Sequence, residues 1–118
     1  MRRLAAILMT SCICLSMGFS LSKAGTPEQV VKISAKRYEF TPNQISLKKG
    51  VPVVLELTSE DRVHGFNAPE FQVRTAIAPG KTTTIKFVPN KVGSFDFFCD
   101  IFCGSGHEGM NGKFNVTE

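Results

Sequence analysis

Four side chains that bind soft or borderline metal ions lie within twelve consecutive residues, CDIFCGSGHEGM, at positions 99–110. They are Cys99, Cys103, His107 and Met110. Thiolates and thioethers are soft ligands and imidazole is a borderline one, and this combination favours copper, above all copper that must be stable as Cu(I). Met110 favours copper over zinc as the predicted metal, because zinc sites are built from cysteine, histidine and carboxylate. The residue types therefore predict a copper site.

The spacing of these four residues, by four, four and three positions, would also place them along one face of an α-helix. Gly104, Gly106 and Gly109 argue against a helix, because each costs roughly 1 kcal/mol relative to alanine in a helix interior. We expect a glycine-rich loop between two strands instead. The backbone of such a loop can bend around a point and direct several side chains at it.

His64, in the stretch SEDRVHGFNAPEF, is the only other histidine of the chain. It follows a predicted strand that ends near Thr58. Loops at one end of a two-sheet sandwich lie close together, so a loop near residue 64 can meet a loop near residue 104. We expect His64 to be a further ligand, against the alternative of a surface or core histidine.

Apolar and polar residues alternate with the period of strands along residues 25–118, and no segment of useful length has the period of a helix. We expect the strands on either side of the turn Lys48-Lys49-Gly50 to be neighbours in one sheet. Six or seven short strands at this spacing indicate an all-β sandwich or barrel. The positions predicted to point inward are Val31, Ile33, Ile45, Leu47, Val53, Leu55, Leu57, Thr83, Ile85, Phe87, Phe95, Phe97, Phe114 and Val116.

Residues 1–24 have the pattern of a secretory signal peptide ahead of a single domain at residues 25–118. A positively charged start is followed by an apolar stretch to Phe19, and small residues precede a cleavage position after Ala24. Two alternatives stay open: an uncleaved membrane anchor, although a bilayer span needs roughly 18–20 residues, and a lipoprotein site at Cys12. We expect an exported, soluble, periplasmic protein with no stable membrane association after cleavage.

Removal of the signal would leave 11 of the 14 basic residues against 10 acidic ones, a net charge of about +1. With no basic run and a single tyrosine, nucleic-acid binding has little support. Cys99 and Cys103 would be the remaining cysteines, and an exported compartment favours disulfides. A metal-free Cys99–Cys103 disulfide is therefore an alternative, although it leaves Met110 and both histidines unexplained.

Two stretches of the sequence resemble the copper-binding domain of cytochrome oxidase subunit II, a cupredoxin that carries the binuclear CuA centre: DRVHGFNAPEF and APGKTTTIKFVPNKVGSFDFFCDIFCGSGHEGMNGKFNV. The motif of that family, which nitrous-oxide reductase shares, is an upstream histidine followed by Cys-x3-Cys-x3-His-x2-Met. Five side chains match it, and the resemblance covers nearly all of residues 25–118. It implies a cupredoxin-like Greek-key sandwich.

Carried over to this sequence, the resemblance implies two copper ions in a mixed-valence centre. The bridging sulfurs belong to Cys99 and Cys103. In this family pattern, His64 and His107 each bind one copper. The thioether of Met110 is a weak ligand to one copper, and the backbone carbonyl of Ile101 is a weak ligand to the other. Two shared thiolates spread one electron over a rigid unit, and no open position or nearby acid or base is evident. The resemblance therefore implies an electron carrier rather than an enzyme, and a redox protein as partner, either a c-type cytochrome or a copper protein.

The sequence departs from the family in three ways. The family has transmembrane helices ahead of its copper domain, whereas here a predicted signal peptide precedes the first strand. Many of its members have a glutamate where this chain has Ile101, and the chain has no tryptophan. These differences weaken the idea of an oxidase subunit fed by cytochrome c. Four apolar residues lie near the predicted ligands in the sequence: Phe66, Phe98, Ile101 and Phe102. Those that are buried would belong to the core, and those that are exposed would form a small docking patch typical of weak redox contacts.

Two other copper functions remain open. The first is a copper carrier or chaperone that delivers metal to an oxidase or reductase. The second is a mononuclear blue-type site made by His64, one cysteine, His107 and Met110, which would leave an exported free thiol without a purpose. Of the acidic residues in the cluster, we expect Asp100 and Glu108 to be solvated loop residues.

Overall fold

The computed structural model describes residues 27–118, so the predicted signal peptide lies outside the described residues. These residues form strands and two single 3-10 turns, Pro69–Phe71 and His107–Gly109. No helix among them is long and apolar enough to cross a membrane. The strands are β1 (Gln29–Lys36), β2 (Glu39–Thr41), β3 (Gln44–Lys48), β4 (Val53–Ser59), β5 (His64–Ala68), β6 (Val73–Ile77), β7 (Thr83–Phe87), β8 (Gly93–Phe98) and β9 (Asn111–Thr117).

Two sheets enclose one core. The first sheet has the strand order β2-β1-β4-β7, and the second has the order β3-β9-β8-β5-β6. The chain passes repeatedly from one sheet to the other, so that β1 pairs in parallel with β4 and β3 pairs in parallel with β9. This interleaved, all-β connectivity confirms the predicted Greek-key sandwich.

Burial follows the predicted alternation on β1, β3 and β9, whereas β4 and β5 have consecutive buried residues. Val31 and Ile33 of β1 are buried while Lys32 between them is exposed. On the edge strand β7 the same alternation holds, although its inward residues are only partly buried. The centre of the core is a cluster of four phenylalanines, each at most 2% exposed, with ring centroids 4.8–6.3 Å apart. We call it the phenylalanine core: Phe40, Phe66, Phe97 and Phe114.

The expectation that the strands around Lys48-Lys49-Gly50 are neighbours is wrong. The turn itself is present, with Gly50 at φ +80° and the Val51 amide donating to the Lys48 carbonyl at 3.2 Å. However, β3 belongs to the second sheet and β4 to the first. A turn signal in the sequence reports a reversal of the chain, and it does not report which sheet the next strand joins.

His64 does not lie in a loop, because it is the first residue of β5. This strand and β6 form an antiparallel hairpin that the alternation of residues does not reveal. The predicted six or seven strands are too few, because residues 27–118 form nine strands, and β2 is only three residues long. Glycine, asparagine and proline within HGFNAPEF weaken the strand pattern at this point.

Three strands bring the predicted ligands to one end of the sandwich. His64 begins β5, Cys99 directly follows β8, and Met110 directly precedes β9. The Cys99 amide donates to the Met110 carbonyl at 3.0 Å, and this bond closes the neck of the connection between β8 and β9. We call residues 99–110 the metal loop.

Candidate metal centre

Two buried thiols form the middle of the cluster. The sulfurs of Cys99 and Cys103 are 3.8 Å apart, and the residues are 4% and 0% exposed. Burial raises the pKa of the Cys103 thiol to about 11, and the neighbouring Cys99 contributes to the rise. A metal that binds here must therefore displace protons from the thiols, as thiolate coordination generally requires.

Three further predicted donors surround these sulfurs. Nδ1 of His107 lies 3.6 Å from the Cys103 sulfur, and the Met110 sulfur lies 3.8 Å from it. The carbonyl oxygen of Ile101 lies 3.1 Å from the sulfur of Cys99. Met110 is buried, whereas His107 is partly exposed and forms the solvent side of the cluster.

His64 completes the cluster from the strand side. It is fully buried, and one of its ring nitrogens lies with both cysteine sulfurs in a group of atoms within 4.8 Å of one another. Its Nε2 is 2.6 Å from Oδ1 of Asp61, while its Nδ1 is buried with no hydrogen-bond partner among residues 27–118. Burying a polar nitrogen without a partner is costly. A metal ion on the sulfur side would satisfy it.

Asp61 fixes the orientation of this ring. Desolvation raises the pKa of Asp61, but hydrogen bonds from the Arg37 amide, His64 and the Arg62 amide outweigh it and lower the pKa to about 2. An ionised carboxylate can only accept, so Nε2–H of the neutral His64 ring donates a hydrogen bond to it, which leaves the ring's lone pair on Nδ1. Nothing in the sequence singles out Asp61 beyond its position three residues before His64.

The metal loop has the irregular, glycine-dependent form that the sequence predicts. Gly104 has φ +138°, a value that residues with a side chain rarely adopt. The His107 amide then donates to the Gly104 carbonyl at 3.2 Å, and the Met110 amide donates to the His107 carbonyl at 3.1 Å. These tight turns return His107 and Met110 to the sulfurs.

Gly65 allows β5 to lie directly against the metal loop. Its amide donates to the sulfur of Cys99 at 3.3 Å. A Cβ at this position would overlap the Asp100 carboxylate and lie 2.8 Å from the backbone nitrogens of Asp100 and Ile101. Sequence reasoning did not identify this close approach, because it depends on the packing of the β5–β6 hairpin.

The expectation that Asp100 is a solvated loop residue is wrong, whereas Glu108 is exposed as expected. The Asp100 side chain is only 16% exposed. Its carboxylate accepts hydrogen bonds from the guanidinium of Arg74 and from Nδ2 of Asn67. Asp100 therefore ties the metal loop to the second sheet.

The apolar residues around the cluster differ in exposure. Phe66 is buried in the phenylalanine core, and Ile101 and Phe98 are partly buried. Phe102 is 72% exposed, and its ring centroid lies 5.8 Å from that of His107. On another side an open groove of about 670 Å³ reaches the cluster, and it is lined in part by Cys99, His107 and Met110.

The donor set as a whole fits copper. Two thiols, two imidazoles and a thioether are grouped in a mostly buried space, with one backbone carbonyl beside them. Soft sulfur ligands together with imidazole suit copper better than the hard cations, which prefer oxygen ligands. The carboxylate of Asp61 is hydrogen-bonded to Nε2 of His64 and holds the ring.

A family model described as a cupredoxin-like domain matches residues 5–114. The chain belongs to the cupredoxin-like family. Cytochrome c oxidase subunit 2 of Thermus thermophilus is 28% identical to this cupredoxin over 96 residues, which cover 81% of the chain and 71% of the relative. Nitrous-oxide reductase of Cupriavidus necator is 36% identical over 90 residues, which cover 73% of the chain and 14% of the reductase.

Among solved structures, the cupredoxin is similar to the periplasmic domain of subunit II of cytochrome oxidase from Bradyrhizobium japonicum, with a TM-score of 0.71. The two share 21% sequence identity, and the match covers 79% of this chain and 88% of the other. At this identity the likeness establishes the fold. Together with the two relatives, it confirms the resemblance inferred from the sequence.

Proposed function

We propose that this cupredoxin binds a binuclear copper centre of the CuA type and carries one electron at a time between redox proteins. The observation that carries the proposal is the environment of His64. Its buried Nδ1 has no hydrogen-bond partner among the described residues, and the ring lies beside two adjacent buried thiols. Folding alone does not satisfy this nitrogen, and a thiolate-bound metal would.

In the proposed centre the thiolates of Cys99 and Cys103 would hold both copper ions. His64 would bind one copper and His107 the other, since a nitrogen of each ring lies near the sulfurs. The remaining two donors would be weak ligands, one on each copper: the sulfur of Met110 and the carbonyl of Ile101.

Electron transfer suits this arrangement better than catalysis. A centre in which two thiolates hold both copper ions would spread one electron over a compact unit, so its geometry would change little on reduction. The protein adds rigidity: Asp61 holds His64 on a strand, and the bond between Cys99 and Met110 closes the loop. All donors in the cluster have a role as ligands, which leaves none as an acid, base or nucleophile.

The partner would be a redox protein that docks over His107. Phe102 exposes 72% of its surface beside this residue, and Val63, next to His64, is 41% exposed. A small apolar surface near a metal suits brief contacts, because weak redox complexes bury little area. The partner's identity, a c-type cytochrome or another copper protein, is part of the proposal.

We further propose that the protein acts after export, in the periplasm, with residues 1–24 as its signal peptide. The Bradyrhizobium structure with the same fold is described as a periplasmic domain. Export would also place the protein outside the reducing cytosol.

The proposal is tested by loading the protein with copper without oxygen, counting the metal, and titrating the product with a reductant. We expect two copper ions and the reversible uptake of one electron per chain. One copper per chain, or copper that takes up no electron reversibly, would show that the centre is of another kind.

One observation favours a second function, the donation of copper to another protein. The groove beside Cys99, His107 and Met110 leaves part of the cluster open. A donor would lose copper to a Cu(I) chelator within minutes, whereas an electron carrier should retain it. The rate of copper loss to such a chelator separates the two functions.

A further inference from the structure

The side chain of Asp100 joins the metal loop to the hairpin of β5 and β6. Its Oδ2 accepts hydrogen bonds from the Arg74 guanidinium and from Nδ2 of Asn67, the latter at 3.4 Å. Asn67 and Arg74 are directly opposite each other in the β5–β6 ladder. The cross-strand pair Asn67 and Arg74 therefore holds the carboxylate of Asp100, the residue between the proposed ligands Cys99 and Ile101 in the sequence.

This carboxylate has little contact with solvent. The Asp100 side chain is 16% exposed, and its Oδ1 is buried against Gly65 with no hydrogen-bond partner in the part of the chain that the structure describes. A carboxylate in such surroundings is costly unless a positive charge lies near it. Arg74, whose side chain is 57% exposed, supplies that charge from the edge strand β6.

We propose that Arg74 is a positioning residue of the copper centre that acts through Asp100, and that the charges of this pair help to set the centre's reduction potential. The inference rests on the function proposed above. A negative charge near a metal favours its oxidised state and lowers the potential, and a positive charge has the opposite effect. Arg74 therefore offsets the lowering that Asp100 causes next to Cys99.

The pair acts on the centre more than on the stability of the fold. Because the Arg74 side chain is more than half exposed, solvent screens its charge, and the ion pair itself adds little to the stability of the fold. Groups behind the ligands, in contrast, orient the ligands and tune the metal. Because Asp100 lies within the Cys-x3-Cys segment, the Arg74–Asp100 pair can orient the ligands and tune the metal in this way.

The test measures the reduction potential of copper-loaded variants. Arg74→Gln removes the positive charge at similar size and should lower the potential. Asp100→Asn removes the negative charge and should raise it. The double variant should have a reduction potential closer to the parent's than either single variant has. Arg74→Lys keeps the positive charge, so its potential should lie close to the parent's. A purely structural role would not produce shifts of opposite sign that cancel.

Lys91→Gln is the matched control. Lys91 forms an ion pair with Glu70 at 3.2 Å, at the end of β8 that is remote from Cys99. The six residues of β8 span roughly 20 Å at about 3.3 Å per residue. The same loss of one positive charge should therefore shift the potential much less than Arg74→Gln does.

A second measurement, on the metal-free protein, keeps the inference separate from the proposed function. Amide hydrogen exchange of residues 99–101 should speed up in Arg74→Gln and return to the parent rate in Arg74→Lys. If no variant binds two copper ions, the proposed function fails and hydrogen exchange alone decides the positioning role. If the copper centre forms but the reduction potentials of Arg74→Gln and Asp100→Asn do not move apart, the inference is wrong. It is also wrong if amide exchange of residues 99–101 is unchanged in Arg74→Gln.

Discussion

The phenylalanine core and the metal end of this cupredoxin, by which we mean the buried side chains of His64, Cys99, Cys103 and Met110, both exclude solvent but are held together in different ways. Phe97 and Phe114 pack at a centroid distance of 4.8 Å, and their burial needs nothing beyond other side chains. At the metal end, His64 and Cys103 are equally buried, yet the Nδ1 of His64 has no hydrogen-bond partner among residues 27–118. The core is complete once the chain has folded, whereas at the metal end a buried nitrogen keeps a free lone pair, as the proposed metal site requires.

Strand β5 links the two regions. Its first residue, His64, faces the sulfurs, and Phe66, two residues later on the same face, packs into the phenylalanine core. Side chains two positions apart point to the same side of a strand. The rigid core therefore positions the histidine. It follows that the two regions should respond differently to substitution.

The largest expected effect is the loss of the binuclear centre on replacing Cys103 with serine. A hydroxyl is a poor copper ligand, so one bridge is lost and electron paramagnetic resonance should show no coupling to two copper nuclei. The fold should survive, as circular dichroism can verify, because the phenylalanine core is untouched. Persistence of the two-copper signal in Cys103→Ser would mean that the bridging ligands are assigned incorrectly.

Replacing Phe114 with alanine tests the other side of the comparison. The residue is 0% exposed and contacts several aromatic rings, so the cavity should cost about 3–5 kcal/mol in the free energy of unfolding, measured by denaturant titration. Phe102→Ala is the matched control, because this ring is 72% exposed and its loss should change stability by no more than about 0.5 kcal/mol. Equal costs at the two positions would contradict the assignment of the core.

Gly65→Ala should disturb both regions, since this residue lies between them. The new Cβ would overlap the Asp100 carboxylate, and overpacking of this kind costs about 1–3 kcal/mol. We expect reduced stability and an altered copper resonance in the same variant. Gly109→Ala serves as the control in the metal loop, because its Cβ would have no atom within 4 Å. An unaltered resonance in Gly65→Ala would show that β5 and the loop separate easily.

The smallest expected effect is on acid stability in the metal-free protein. The pKa of Asp61 is about 2 in the folded chain, against about 3.9 in an unfolded one. Its ionised form therefore stabilises the fold above about pH 4, and this contribution is lost as the pH falls toward 2. Asp61→Asn should reduce stability at neutral pH, with a difference from the parent that shrinks toward pH 2. A difference that does not vary between pH 2 and 5 would argue against the bond to His64.

The sequence was sufficient for the features that depend on local pattern. Alternation at Val31 and Ile33 predicted β1, and the glycines of the metal loop correctly excluded a helix. The spacing from Cys99 to Met110 predicted which side chains lie together, and the structure brings them together with His64.

Features that depend on distant pairing could not be predicted. The parallel pairs β1–β4 and β3–β9 join strands far apart in sequence, and nothing at the turn near Gly50 indicates that the chain changes sheets there. The contact between Arg74 and Asp100 depends likewise on the register of β5 and β6. Local propensity does not encode such registers, and they follow from the packing of the complete sandwich.

The central claim is that two thiolates of the metal end hold two copper ions as one redox unit. Electron paramagnetic resonance of the protein, loaded with a single copper isotope and partly oxidised, tests it most directly. We predict one unpaired electron per chain, split equally by two copper nuclei. A spectrum split by a single copper nucleus would contradict the claim.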